Sequence, residues 1–203
     1  MTIRTFQVGE LRVNAYLVYD DPREAVLIDP GDEANRLLAA VAAEGVCVKA
    51  ILLTHAHFDH IGAAEAVASA TGAPLYLHRE EEAALTDPTR NLSGFFGAAL
   101  TVTGDIRPLR DGDTVTVGGL SFEVLHTPGH TVGGVCYRTG DVLFSGDTLF
   151  CESIGRLDFP GGSGEAMRRS LERLLALPAS TTVYPGHGEP TSIGHEQQYN
   201  PYV

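Results

Sequence analysis

Six consecutive residues, His55-Ala56-His57-Phe58-Asp59-His60, carry three imidazoles and one carboxylate. These are the donors that zinc-type ions take, usually four per ion, and a catalytic ion keeps a position open for water. Such dense spacing suits a strand-to-helix turn from which side chains fan out around one point. Ligands carried along a helix need i, i+4 spacing instead. With eight histidines in 203 residues, the pattern arises by chance in roughly one such chain in a thousand. The segment is therefore expected to hold two metal ions, each with part of its coordination shell open to water.

Three further residues are placed to join it. His130 sits in Thr127-Pro128-Gly129-His130-Thr131, Asp147 in Ser145-Gly146-Asp147-Thr148, and His187 in Tyr184-Pro185-Gly186-His187-Gly188. Each follows a strand-like run and is bounded by glycine or proline, whereas a core histidine more often sits within an element. Taken singly, each is better explained structurally. Together with residues 55–60 they converge on one edge of the expected sheets.

The elements that must position them alternate between strands and helices. Thr5–Val8, Ala15–Tyr19 and Ala25–Ile28 read as short strands, separated by Gly9 and by Asp20-Asp21-Pro22. Asp29-Pro30-Gly31-Asp32 breaks the chain. Asp32 is the expected N-cap of a helix over Glu33–Glu44, with Leu37, Leu38 and Val41 on one face and Gly45 as its stop. Val48–Leu53 reads as a strand covered on both faces that runs straight into Thr54-His55. The end of such a strand is where α/β folds place their chemistry. A helix over Ala63–Ala70, a strand at Pro74–Leu77 and a helix over Glu80–Leu85 follow. The run Glu80-Glu81-Glu82 reads as a solvated helix start.

Asp87–Asp105 has no clear periodicity, and a stretch this long is more than a connector. It is either a lid or wall of a substrate pocket, built around Phe95-Phe96, or a covered structural loop. Thr114–Val117 and Leu120–Leu125 form a hairpin across Gly118-Gly119. Strands at Gly134–Arg138, Val142–Phe144 and Thr182–Tyr184 bracket a helix over Glu165–Leu177, with Met167, Leu171, Leu174 and Leu175 on one face. The expected class is α/β: two mixed sheets face to face with helices outside, in one domain over residues 1–203.

The net charge of −12, with Lys49 the only lysine, disfavours nucleic acid as a partner. No apolar run reaches the roughly 18–20 residues that span a bilayer. No basic-then-apolar leader is visible, so a cytoplasmic location is expected. Cys47, Cys136 and Cys151 are odd in number and irregular in spacing, which argues against a disulfide framework. Cys47 and Cys136 read as buried small hydrophobes, and Cys151 lies just past Asp147 in sequence, which by itself does not bring it to the site. His78, His126 and His195 read as structural. Oligomeric state is left open.

The motifs resemble the metallo-β-lactamase superfamily, in its branch of short, single-domain, glyoxalase II-like (hydroxyacylglutathione hydrolase-like) hydrolases. The resemblance rests on Asp29-Pro30-Gly31, the 55–60 segment and the turns of His130, Asp147 and His187, in that order over nearly the whole chain. It implies an αββα sandwich. It implies that His55, His57 and His130 hold one metal, Asp59, His60 and His187 a second, and that Asp147 bridges them. Asp29 would orient ligands rather than bind metal. Two zinc ions per chain are expected, although iron or manganese suits the same donors. Asp147 and Asp59 become the candidate catalytic carboxylates. A bridging water, deprotonated near neutral pH between two cations, would attack an ester-like carbonyl. A thiolate, with a pKa near 8.5, leaves without much help. The expected substrate is a small-molecule thioester of the S-lactoylglutathione type.

The chain departs from glyoxalase II itself. It ends soon after His187, which leaves no room for the C-terminal helical domain that helps bind glutathione there. A lysine and a tyrosine that contact glutathione are replaced within Gly155-Arg156-Leu157-Asp158-Phe159. Arg156 can stand for the lysine, but Asp158 stands where the tyrosine would. Arg156, Asp158, Phe95 and Phe96 are the candidate substrate residues. The same stretch resembles persulfide dioxygenases, which use one iron held by two histidines and an aspartate, here His57 or His55, His130 and Asp147. That is the second reading. The short hydrolases match better over Pro160–Glu165, which puts hydrolysis first. A lactonase or nuclease relative ranks lower, the latter for want of a basic surface.

Overall fold

Strands that bury both faces alternate with helices that bury one, and this pattern sets the layering. The computed structural model describes residues 1–20, 23–97 and 99–203. Its first sheet runs, in space as in sequence, β1 (Thr2–Val8), β2 (Val13–Tyr19), β3 (Glu24–Ile28), β4 (Cys47–Leu52), β5 (Leu75–His78) and β6 (Ile106–Leu109). The pairs β1–β2 and β2–β3 are antiparallel, and β3 through β6 are parallel. The second sheet contains β7 (Thr114–Val117), β8 (Leu120–His126), β9 (Val135–Thr139) and β10 (Val142–Gly146). A separate hairpin of β11 (Leu149–Phe150) and β12 (Ser153–Ile154) follows. Then β13 (Thr182–Pro185) and β14 (Thr191–Ser192) complete the sheet, in the order β14-β13-β10-β9-β8-β7.

The two sheets meet in a core of Tyr16, Val18, Ile28 and Leu52 from the first and Phe122, Val124, Tyr137 and Phe144 from the second. Helices α1 (Ala34–Glu44), α2 (Phe58–Ile61) and α3 (Ala64–Thr71) cover the outer face of the first sheet through Leu37, Val41, Ile61 and Val67. Helices α4 (Gly164–Leu175) and α5 (Ile193–Tyr199) cover the second through Met167, Leu171, Leu174 and Ile193. Each such fully buried side chain contributes about 2 kcal/mol. The architecture is the αββα sandwich expected above. No helix among the described residues is long and apolar enough to cross a membrane.

Several local expectations are corrected. Helix α1 is not capped by Asp32. Glu33 occupies the cap position with φ 55°, and its carboxylate binds the Gly9 amide and Arg36. Gly45 does end the helix, at φ 68°. Cys47 is exposed, because β4 is covered on both faces only from Ala50 onward, whereas Cys136 is fully buried. The helix expected over Glu80–Leu85 is a 3-10 segment, Arg79–Thr86. Its tighter turn sets Glu81, Ala84 and Leu85 inward, so Glu81 is 2% exposed rather than solvated. Strands β6, β11, β12 and β14 and helix α5 were not anticipated. Asp21 and Pro22 of the expected turn, and Ala98 in the 87–105 segment, lie outside the described residues.

Candidate metal centre

Strand ends deliver the polar residues to one edge. β4 ends at Leu52 and leads into Thr54–His57, and β8 ends at His126 just before Thr127–His130. The parallel pair β10–β13 sets Gly146 opposite Pro185, so Asp147 and His187 leave the sheet close together. The parallel pair β3–β4 sets Ile28 opposite Leu52 and brings Asp29 beside Thr54. Bonds between the sheets lock this edge. The Val135 amide donates to Thr54 O at 2.9 Å, and the Tyr137 hydroxyl donates to Leu53 O at 2.8 Å. The Asn14 amide donates to the Pro185 and Gly188 carbonyls at 3.0 and 2.9 Å.

All seven residues singled out as donors come together there. His55, His57 and His130 form one group, and Asp59, His60 and His187 another; within each, the donor atoms lie within 4.8 Å of one another. In the first group His57 Nδ1 is 3.1 Å from His55 Nε2 and 2.9 Å from His130 Nε2. In the second, His187 Nε2 and His60 Nε2 are 3.4 and 3.8 Å from Asp59 Oδ2. Asp147 stands between the groups. Its Oδ1 is 3.3 Å from His60 Nε2, and its Oδ2 is 3.5 Å from His130 Nε2 and 3.6 Å from His187 Nε2. A side chain at position 186 would place its Cβ 2.3 Å from Asp147 Oδ1, so only glycine fits that turn.

The outward ring nitrogens explain why the inward ones are free to accept a cation. His60 Nδ1 donates to Asp29 Oδ2 at 2.9 Å, His130 Nδ1 to Arg156 O at 2.7 Å, and His187 Nδ1 to Leu11 O at 3.1 Å. The Thr54 hydroxyl donates to Asp29 Oδ2, so it accepts from His55 Nδ1 at 3.1 Å. Each of these bonds occupies Nδ1 and leaves Nε2 as the nitrogen turned toward a cation. His60 Nε2 and Asp147 Oδ1 are buried and face each other at 3.3 Å with no other hydrogen-bond partner. Buried orphans of this kind are costly unless something satisfies them. A divalent cation fits both groups. Asp29, with its backbone at φ 46° and its carboxylate also accepting the Thr54 amide at 2.7 Å, holds the arrangement without facing either group.

The two groups differ in charge. Burial, then the neighbouring imidazoles, pushes His55 well below its ordinary value and His57 down to about 3. These rings are already neutral, as a ligand must be. Burial opposes charge on His60 too, but Asp147, Asp59 and Asp29 lift it well above the ordinary imidazole range. His187 is raised against its own burial by Asp59 and Asp147. Asp147, despite burial, is held far below the carboxylate range by His60, His130 and His187. Metal entering the second group therefore displaces protons, whereas His55 and His57 in the first have none to give up.

Beside these residues opens a cleft of about 360 Å³, walled by Phe58, Leu92, Phe96, Phe150, Ile154 and Phe159. Arg156 lines it, but its guanidinium is doubly bonded to Asp158 at 2.8 and 3.0 Å and rests over the Phe159 ring at 4.3 Å. Asp158 thus reaches the cleft only through Arg156. Phe96 packs on Phe58 with centroids 4.6 Å apart, whereas Phe95 is 68% exposed and is not a lining residue. The 87–105 segment is a wall, organised by buried Asn91, whose amide donates to the Ala84 and Leu100 carbonyls at 3.0 Å each.

Two residues important to this edge could not be placed from the sequence. Buried Glu81 accepts the Ala56 amide at 3.0 Å and the Gly133 amide at 2.8 Å. It thereby ties the 55–60 turn to the His130 turn. Its spacing from Ala84 and Leu85, i+3 and i+4, was the visible signal. Tyr16 is buried, with its hydroxyl donating to Pro185 O at 2.5 Å under the His187 turn. His78 is a packing residue, stacked on His126 at 4.1 Å and 11°.

A family model for the metallo-beta-lactamase superfamily matches residues 8–187. Probable metallo-hydrolase YqgX of Bacillus subtilis is 39% identical, over 100% of this chain and 98% of its own. Hydroxyacylglutathione hydrolase GloC of Haemophilus influenzae is 35% identical, over 100% and 98%. Among solved structures, the BLEG-1 B3 metallo-beta-lactamase is 42% identical, with a TM-score of 0.95 over 99% of both chains. TTHA1623 in a di-iron-bound form is 42% identical, with a TM-score of 0.90 over 98% of this chain and 100% of that one. ETHE1 from Myxococcus xanthus is 36% identical, with a TM-score of 0.83 over 99% and 84%.

Proposed function

The chain belongs to the metallo-beta-lactamase superfamily, and from that membership we propose a dinuclear metal-dependent hydrolase of thioesters of the S-lactoylglutathione type. The observation that carries this is the double group of donors around Asp147, with His60 Nε2 and Asp147 Oδ1 buried and left only to each other. His55, His57 and His130 would hold one ion, Asp59, His60 and His187 the other, with Asp147 shared. Zinc is our first assignment, and a di-iron form of a 42% identical protein makes iron the main competitor. Two cations held there would supply the acidity that turns a water into hydroxide near neutral pH.

The chain's own residues do the rest. Asp29, Arg156 O and Leu11 O hold His60, His130 and His187 in register through their outward N–H groups. Phe58, Phe96 and Phe159 give the cleft an apolar lining. Asp59, at the cleft surface and 3.4 Å from His187 Nε2, is the group placed to take up and return a proton. Among the described residues it is the one carboxylate lining the cleft besides Asp147, and so sparse a supply of acid favours a leaving group that departs unprotonated. A thiolate does so, whereas an amide nitrogen does not. The resemblance to a hydroxyacylglutathione hydrolase supports the same substrate class.

Persulfide oxidation by a single iron is the second reading, favoured by the likeness to ETHE1. Two assays on one preparation separate them. S-lactoylglutathione cleavage without O₂ uptake on glutathione persulfide is expected; O₂ uptake without cleavage overturns the proposal. A His57→Ala protein with full activity would overturn the assignment of the donors themselves.

A further inference from the structure

We propose a peripheral metal site formed by Cys151, Glu152 and His195, suited to a borderline-soft divalent ion of the zinc type. One donor atom from each residue lies within 4.8 Å of the other two. His195 Nε2 and Glu152 Oε1 are 2.9 Å apart. Thiolate, imidazole and carboxylate are the three donors zinc takes, and three ligands leave one position for water. The sulfur selects against magnesium and calcium, which prefer oxygen alone.

The donors come from two elements that are already locked together. Cys151 and Glu152 form the turn between β11 and β12, and His195 is in the first turn of α5. Glu152 holds φ 54°, a left-handed value uncommon for a residue with a side chain. Its amide donates to the buried carboxylate of Glu196 at 2.9 Å, and Glu196 also takes the Thr191 hydroxyl and the Asn200 amide. The His195 amide is fixed on the Ser192 hydroxyl at 3.2 Å. Cys151 is at the surface, so an ion can reach it from solvent. On binding, the thiol proton passes to solvent and the sulfur coordinates as thiolate. Nothing is oxidised or reduced.

This site is separate from the main centre, since none of its three residues lines the cleft. It is nonetheless next to it. Phe150, immediately before Cys151, is a cleft wall, and its ring is 6.0 Å from that of His187. An ion here would pin the hairpin that carries this wall to α5.

Cobalt distinguishes the two sites, because the main group contains no cysteine. Full-length protein stripped of metal and titrated with Co²⁺ should develop a near-ultraviolet thiolate-to-cobalt charge-transfer band. The band should persist in Cys47→Ser, vanish in Cys151→Ser and weaken or vanish in His195→Ala. Zinc analysis should give one ion fewer per chain for Cys151→Ser than for the unaltered protein, whatever the main centre holds. Absence of the band in the unaltered protein, its survival in Cys151→Ser, or an unchanged band in His195→Ala overturns the proposal.

Discussion

Glu81 receives two amides, one from each of two turns that present imidazoles, and both bonds are buried. Removing the carboxylate strands the Ala56 and Gly133 N–H groups in a dry setting. Glu81→Ala should therefore cost about 3 kcal/mol in urea unfolding of the metal-free protein. It should also weaken metal retention by about tenfold or more, as loss of a ligand-orienting group does. Stability and metal affinity both unchanged would mean that Glu81 positions nothing. The acidic run disguised this residue: a charge count sees three solvated glutamates, and only the inward face shared with Ala84 and Leu85 tells one apart.

Protonation gives a second prediction for single side chains. His60 and His187 have folded values above the ordinary 6.5. Their contribution to the metal-free protein is fully present below pH 6.5 and is lost as pH rises through the raised values. The loaded protein behaves oppositely, because ligands must shed protons to bind metal. Thermal melts from pH 6.5 upward should fall for the stripped protein and hold or rise for the loaded one. Parallel slopes would refute the charge assignment. Of the proposed donors, none was missing from the sequence reading. What it did not carry was which ring nitrogen faces inward, since that depends on acceptors as remote as Arg156 O and Leu11 O.

At the scale of elements, every strand of four or more residues except β6, and both long helices, were legible because their apolar periods are strong. Short pieces were not. β11, β12 and β14 have two residues each, and pairing rather than composition defines them. The 87–105 segment was legible as more than a connector, but its order comes from side-chain bonds to the backbone, with Asn91 the most buried of them. Asn91 bonds two carbonyls and also accepts the Ser93 amide at 3.0 Å. Asn91→Ala should loosen the segment that carries Leu92 and Phe96. The expected result is a rise in KM for the thioester with a smaller change in kcat, and about 1–3 kcal/mol lost in stability. An unaltered KM would remove this segment from the substrate wall.

For the whole molecule, the two sheets converge on a cation site, and the site in turn joins the sheets. Residues of the first sheet's connections supply His55, His57, Asp59 and His60, and those of the second supply His130, Asp147 and His187. Metal binding should thus stabilise the fold as a unit. Zinc at a hundredfold excess over its Kd should add about 2.7 kcal/mol, which is roughly 5–10 °C in Tm for a chain of this length. A Tm indifferent to zinc and to chelator would show that the cluster does not bind it.

Zinc content measured alongside S-lactoylglutathione hydrolysis tests the central claim most directly, in Cys151→Ser protein so that only the main centre is counted. The account predicts two ions per chain, with cleavage reaching its full rate as the second ion binds. Full activity at one ion per chain, or O₂ consumption on glutathione persulfide in place of thioester cleavage, would contradict it.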